Sequence, residues 1–302
     1  MNRKLISVGL LLAVVLVLAA CGPTTGSVSL GVNRATAEEV VSASFTAEKP
    51  TIIVETFNGN IDVTVSAGTA VKVDVTKRGS GDTAEEAKAD LKNIQVTMNQ
   101  EGSTVRVTAQ RSDKRTDADN SGASAKLTVP AGSILQLRTS NGKVTSAGEA
   151  ATVTAQSSNG AIDVRGATGP LDLQTSNGNI TVNGGSEAIA LETSNGAIEV
   201  STSKAVEINA ASSNGALKFT GPLAANSKNV LRTDNARIDV TLPADSSFTL
   251  DASTSNGKII SGFAVKGDNP RDTELKGAVG GDPQASLKLQ TSNGNIEIRQ
   301  GS

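Results

Sequence analysis

The chain of 302 residues has no histidine, no tryptophan, no tyrosine, only five phenylalanines and a single cysteine. Without histidine there is no Ser-His-Asp or Cys-His nucleophile system and no imidazole metal ligand. One cysteine cannot close an intrachain disulfide or build a thiolate zinc site. Without indole or phenol rings there is almost no platform on which bases or sugar rings could stack. Charge of one sign is also lacking. The 28 Lys and Arg residues against 30 Asp and Glu leave a net charge of -2, whereas a nucleic-acid binder should be strongly basic. These absences point to a module that uses no cofactor and has no nucleic-acid partner.

What is present begins with an address. Residues 1–20 carry a basic start (Arg3, Lys4), an apolar run from Leu10 to Leu18, and the small residues Ala19 and Ala20. That is the layout of a secretory signal peptide, its apolar stretch falling short of a membrane span of about 20 residues. The only cysteine follows at once, in Leu18-Ala19-Ala20-Cys21-Gly22, which resembles the lipobox of bacterial lipoproteins. The resemblance implies cleavage before Cys21 and acylation of that residue, several acyl chains being enough for stable anchoring. A short uncleaved anchor with an incidental cysteine is the alternative. Residues 21–37, rich in Gly, Ser and Thr, then read as a flexible tether that holds the folded part off the membrane. The expected location is the cell envelope, outside the cytoplasm and attached through lipid.

The body is a repeat. Asn-Gly occurs at Asn58, Asn141, Asn159, Asn177, Asn195, Asn214, Asn256 and Asn293, with Asn235-Ala236 as a variant. From Asn141 onward the spacings are 18, 18, 18, 19, 21, 21 and 37 residues. The last interval is about two periods. It holds either a degenerate coil with Lys276-Gly277 in the Asn-Gly place or a long excursion. Three residues after each Asn come Val144, Ile162, Ile180, Ile198, Leu217, Ile238, Ile259 and Ile296, and four before it come Leu or Ala, as in Leu137, Ala155, Leu173 and Leu191. Two before it stand Thr139, Ser157, Thr175, Thr193, Ser212, Thr233, Thr254 and Thr291. Alternation on both sides of the Asn is the period-two signal of strands with one buried face. Inward parity switches at the Asn-Gly pair, so a bend belongs there. Asn and Gly tolerate the left-handed backbone that such a bend is expected to use.

Two folds could use this pattern. Asn-Gly between alternating apolar runs is a strong hairpin signal, which favours an antiparallel meander. A meander does not require the same residue at every 18th position. A β-solenoid does, because equivalent positions of successive coils stack about 4.8 Å apart. The pattern therefore predicts an all-β, right-handed parallel β-helix of about 18–21 residues per coil. The asparagines Asn141, Asn159, Asn177, Asn195, Asn214, Asn235, Asn256 and Asn293 form one ladder. The hydroxyl residues Thr139, Ser157, Thr175 and Thr193 form another, both hydrogen-bonding to the coils above and below. By parity Asn177 should face the ladder and Asn179 the solvent.

Residues 38–125 are less regular. Strands are predicted over 51–65 and 70–76, then a helix over 83–93 whose Thr83-Ala84-Glu85-Glu86 start fits a capping box. Further strands follow over 94–98 and 105–109, and a polar loop over 111–124. The region reads as the first coil plus a helix-containing insertion, or as an N-terminal cap, with the β-helix repeats over 126–302. The outward positions four after each Asn (Thr145, Asp163, Thr181, Glu199, Lys218, Asp239, Ile260, Glu297) do not make a calcium or catalytic carboxylate row, because Thr and Lys interrupt them. They read as a solvated face. The Ser-Asn-Gly corners make a polar ridge that could bind a polymer or another protein.

The run Lys126-Leu127-Thr128-Val129-Pro130, its return in Val240-Thr241-Leu242-Pro243, and the closing Leu287-Lys288-Leu289-Gln290-Thr291-Ser292-Asn293-Gly294-Asn295-Ile296 carry a resemblance. The chain resembles the bacterial β-strand-repeat family of candidate adhesins, DUF4097, from about Val40 onward and most strongly after Lys126. The resemblance implies a right-handed β-helix on an envelope protein and brings no catalytic residue and no ligand. The expected function is a lipid-anchored, adhesin-like binding or structural module without catalysis. Its partners are the membrane, through the lipid on Cys21, and a cell-surface glycan or protein. The alternatives are a polysaccharide-active enzyme on the same scaffold and an envelope-stress sensor or accessory protein.

Overall fold

A computed structural model describes residues 34–113, 120–267 and 271–301. Cys21 and the rest of residues 1–33 lie outside these. Each repeat folds into one coil of two short strands joined at the Asn-Gly corner. In the Asn177 coil, for example, Leu171–Thr175 precedes the corner and Ile180–Asn183 follows it. Strands before the corner stack into one long sheet and strands after it into a second. The register is the sequence period itself. Leu173 pairs with Ala155 on one side and Leu191 on the other, and Ile180 pairs with Ile162 and Ile198, all in parallel. These columns of Leu, Ile, Val and Ala face each other between the sheets and make one continuous buried core. Burying such side chains contributes about 1.5–3 kcal/mol each. An isolated coil has no neighbour to pair with, so stacking and folding are one process.

The stack departs from sequence order at both ends. The Asn58 coil (Thr51–Glu55, Ile61–Ser66) lies against the Asn141 coil on one side. On its other side lies a later segment, Thr104–Arg111 with Gly122–Pro130. At the far end the latest coil in sequence, Ala285–Thr291 with Ile296–Gly301, is inserted between the Asn235 and Asn256 coils. The interval between Asn256 and Asn293 is therefore an excursion and not a degenerate coil. Glu274–Val279 runs antiparallel to Phe248–Thr254, placing Gly277 opposite Leu250 and Lys276 opposite Asp251. Val265–Lys266 adds one more antiparallel strand beyond it. An antiparallel pair needs no crossover, so it can close an edge that another parallel coil would only move outward.

The opposite end is capped in the same manner. Ala35–Thr46 and Ala70–Gly81 pair antiparallel and continue the second sheet, while Ile94–Glu101 pairs antiparallel with Thr104–Arg111 on the first. The first of these strands starts at Ala35, so residues 35–37 belong to it and not to the tether. The helix spans Ala84–Asp90, followed by a single 3-10 turn over Leu91–Asn93. Its capping box is complete: Glu86 N–H donates to Thr83 Oγ1 at 3.2 Å, and the Glu86 carboxylate accepts from Thr83 N–H at 3.3 Å. In the polar stretch expected as a loop, residues 122–124 are strand, Ser121 is fully buried, and residues 114–119 lie outside the described set.

Two buried core positions break their columns: Asn229, whose amide accepts from Ile208 N–H and donates to Ser227 Oγ and Ser286 O, and Ser146. Ser146 stands where Val164 and Val182 stand in later coils. It is 2 % exposed, and its Oγ finds no hydrogen-bond partner among the described residues. An unpaired buried hydroxyl costs about 1–3 kcal/mol. Ser146→Ala should therefore stabilise the protein by about 1 kcal/mol, read as a raised melting temperature and denaturation midpoint.

Candidate functional site

The Asn-Gly corner is the most repeated chemical feature of the molecule. Thr193 is buried, Ser194 and Asn195 are both exposed, and Gly196 is buried. Two outward residues in succession shift the parity, so the strand on each side keeps its apolar face inward. The corner glycines do not use the left-handed conformation; among the Asn residues of the Asn-Gly pairs only Asn58 does, at φ 45°. Glycine is needed for room. A Cβ on Gly196 would lie 1.8 Å from the carbonyl oxygen of Gly178, and one on Gly178 would lie 2.1 Å from that of Gly160. Where the sequence has Ala236, the next glycine, Gly294, still meets its carbonyl at 2.1 Å.

The inward hydroxyls satisfy these same glycines. Thr193 Oγ1 donates to Gly178 O at 3.0 Å and accepts from Gly196 N–H at 3.2 Å. Thr175 does the same between Gly160 O and Gly178 N–H, and Ser157 between Gly142 O and Gly160 N–H. Thr139 Oγ1 donates to Gly59 O at 2.8 Å. Each buried hydroxyl thus joins its own corner to the one below, which removes the cost of burying it.

The asparagine ladder runs along the outside. Asn177 Nδ2 donates to Asn159 Oδ1 at 2.7 Å, and Asn195 Nδ2 to Asn177 Oδ1 at 2.6 Å. Asn159 donates to Asn141, and Asn141 to Asn58. The series continues through Asn214 and Asn235, and passes from Asn235 to Asn293 before reaching Asn256, following the spatial order of coils. All of these side chains but that of Asn58, which is half-buried, are exposed. The inward orientation expected for Asn177 is corrected here: the doubled outward step at Ser-Asn turns the amide to water. Nor is Asn179 a bystander, since its Oδ1 accepts from Ala197 N–H at 2.9 Å.

The outward carboxylates are each paired with a cation. Asp163 is bound side-on by Nη2 and Nε of Arg165, at 2.9 and 3.0 Å. Asp239 meets Arg237 at 3.0 Å, Glu297 meets Arg299, and Glu199 meets Lys218 at 2.7 Å. Such exposed pairs stabilise weakly, yet they neutralise the row. Among the described residues no three His, Cys, Asp or Glu side chains come together as a metal site.

A shallow groove of about 310 Å³ crosses four coils beside the corners. Arg138, Gln156, Gln174 and Glu192 form one wall, Ser158, Ser176 and Ser194 the other, with Thr139, Ser157 and Thr175 beneath. Gln174 Nε2 donates to Glu192 Oε2 at 3.0 Å and Gln156 Nε2 to Gln174 Oε1 at 3.5 Å. The Oγ atoms of the three wall serines have no hydrogen-bond partner among the described residues. The groove lies on the Ser-Asn-Gly ridge seen in the sequence, but its glutamine wall was missed there. The signal was present in the column three before each Asn.

A second polar cluster went unseen. Asp90, 3 % exposed at the end of the helix, accepts from Arg111 Nη2 at 2.7 Å, Ser80 N–H at 3.1 Å and Ser121 Oγ. Burial alone would raise its carboxyl, but the hydrogen bonds from Arg111, Ser121 and Ser80 outweigh that and hold it well below the usual carboxylate range. Arg111, itself bound to Asp113 and Asp90, is pushed further above its ordinary value. Ser121 beside Asp90 is fully buried, its hydroxyl engaged by Ser80 and Asp90, so that hydroxyl faces no open site. The cluster fastens the helix to the sheet ends.

Repeated coils, stacked corners and two parallel sheets define a two-sheeted β-solenoid. The family model of Toastrack DUF4097 matches residues 52–299, and the chain belongs to that family. Among solved structures it is similar to a candidate adhesin from Bacteroides fragilis, at 15 % identity and TM-score 0.41, over 86 % of this chain and 97 % of that one. It is also similar to one from Parabacteroides distasonis, at 9 % identity and TM-score 0.37, with 86 % and 97 % covered. No curated protein matches.

Two outcomes follow from the site. Thr193→Val should cost about 1–3 kcal/mol, since it strands Gly178 O and Gly196 N–H inside the corner. It should cost more than Asn177→Leu, whose lost bonds face water; chemical denaturation of both variants measures this. For Asp90 the folded pKa lies below the unfolded value of about 3.9. Its contribution is thus complete above that value and is lost as pH falls through it toward the folded one. Asp90→Asn should be less stable at neutral pH by about 3–5 kcal/mol. Its melting temperature should fall less than that of the native chain between about pH 5 and 3.

Proposed function

We propose that the protein is a lipid-anchored, adhesin-like surface module that binds or spaces without catalysis. The observation that carries this reading is the polar groove, an open trough across four coils whose wall hydroxyls are uncommitted. The remaining polar chemistry is already spent. Asp163, Glu199, Asp239 and Glu297 are ion-paired, the hydroxyls of Ser157, Thr175 and Thr193 are bonded on both sides, and Asp90 is buried and held by Arg111, Ser80 and Ser121. In this reading residues 1–20 direct export, the lipid on Cys21 holds the chain in the cell envelope, and residues 21–34 set the solenoid off the membrane. Membrane attachment falls to the lipid; among the described residues no helix is long and apolar enough to cross a membrane. The partner is a cell-surface glycan or protein.

The test is binding of the purified full chain to immobilised polysaccharides, matrix proteins and itself, with sugar-end release assayed in parallel. Retention by at least one partner without new reducing or unsaturated ends is expected. Binding to none, or release of sugar ends, overturns the reading. The Cys21→Ser chain should move from the detergent phase to the aqueous phase on partitioning, and unchanged partitioning would count against the anchor.

A further inference from the structure

The groove can be read further. Its two walls repeat together, Gln156 with Ser158, Gln174 with Ser176, and Glu192 with Ser194, each pair one coil along from the last. The interval is the strand spacing, about 4.8 Å. The hydroxyls beneath are held by glycine carbonyls and N–H groups, so the groups free to meet a ligand are those of the walls. Gln174 spends one N–H on Glu192 and accepts from Gln156, leaving its second N–H and a lone pair to the groove. The ends carry opposite charge, Arg138 and Glu192, and the middle carries none.

A ligand that fits must be a ribbon with hydroxyl-type groups on both edges, repeating at nearly the coil spacing and without strong charge. An extended peptide advances only about 3.3–3.4 Å per residue and drifts out of register within a few coils. A single-stranded nucleic acid would need positive charge along its phosphates, and this wall has none beyond Arg138, whereas a neutral glycan can be held through its hydroxyls by hydrogen bonds alone. A β-1,4-linked glycan meets each condition: it is flat, its equatorial hydroxyls and substituents lie on both edges, and one sugar advances by nearly one coil. An α-1,4-linked glucan coils and cannot follow a straight trough. We propose that the groove from Arg138 to Glu192 binds a β-1,4-linked glycan, one sugar per coil across four coils. Gln156, Gln174 and Ser176 are its central contacts. This rests on the surface-binding reading above and names its ligand class.

The experiment is co-sedimentation of the full chain, in detergent, with insoluble chitin and cellulose. Starch and polygalacturonate serve as α-linked and anionic comparisons, and soluble chitotetraose as competitor. Retention on the two β-1,4 polymers, displaced by chitotetraose, is expected. Gln174→Leu should weaken retention about tenfold, the worth of one or two net hydrogen bonds, with its melting temperature unchanged. Glu207→Gln, exposed and outside the groove, should bind as the native chain does. No retention on chitin or cellulose, equal retention on starch, or full retention by a folded Gln174→Leu chain overturns the proposal. Binding to a matrix protein or to itself, without glycan, would sink this inference and leave the surface-binding reading standing. Binding to nothing would sink both.

Discussion

The solenoid depends on how closely two backbones can approach at a corner. Each corner glycine offers its carbonyl oxygen to the next coil at a place where a side-chain carbon would collide with it. The inward Thr or Ser of that next coil, such as Thr193 for Gly178, bonds that same oxygen from inside. The contact fixes the vertical spacing of coils on the corner side and so the register of both sheets. Apolar burial supplies most of the favourable free energy, but it does not choose a register, because Leu over Leu and Leu over Ile bury similar area. The glycine-to-carbonyl approach does choose, since one step out of register places a larger residue against the oxygen.

The columns that make the core were legible in the sequence because a stacked fold repeats its requirements at a fixed interval. The buried alternation, the parallel pairing at eighteen residues and the capping box on the helix follow from residues such as Leu173, Ile180 and Thr83. The spatial order of the end coils was not legible. Ile238, Ile259 and Ile296 present the same face to any neighbour, so the pattern does not say which coil lies beside which. The orientation of the asparagines was misread because two successive outward residues are indistinguishable, by parity alone, from one inward turn. Asp90 and Arg111 are partners joined only by the fold, and no periodic signal marks such a pair.

The same regularity shapes the site. A groove wall made by a repeat column is periodic by construction, and in this chain the column reads Glu55, Arg138, Gln156, Gln174 and Glu192 in spatial order. Ala211 follows Glu192 in it, and the wall stops there. On that side the site is bounded by sequence variation along one column, while the corners beside it continue along the stack, as Ser-Asn-Gly or as Asp234-Asn235-Ala236.

The displaced coils at the two ends have a consequence for assembly and for traction. The Asn58 level is linked to its neighbour 83 residues away, and the Asn293 level to one 58 residues away. Neither level can be laid down by simple winding from one end, because each must be clasped between segments made at different times. Long-range closure of this kind is slow. It also means that a pull on the chain beyond Ile296–Gly301 meets a strand clasped between two others rather than a free outermost turn, so that end of the rod resists unravelling like a rope spliced back into its own lay.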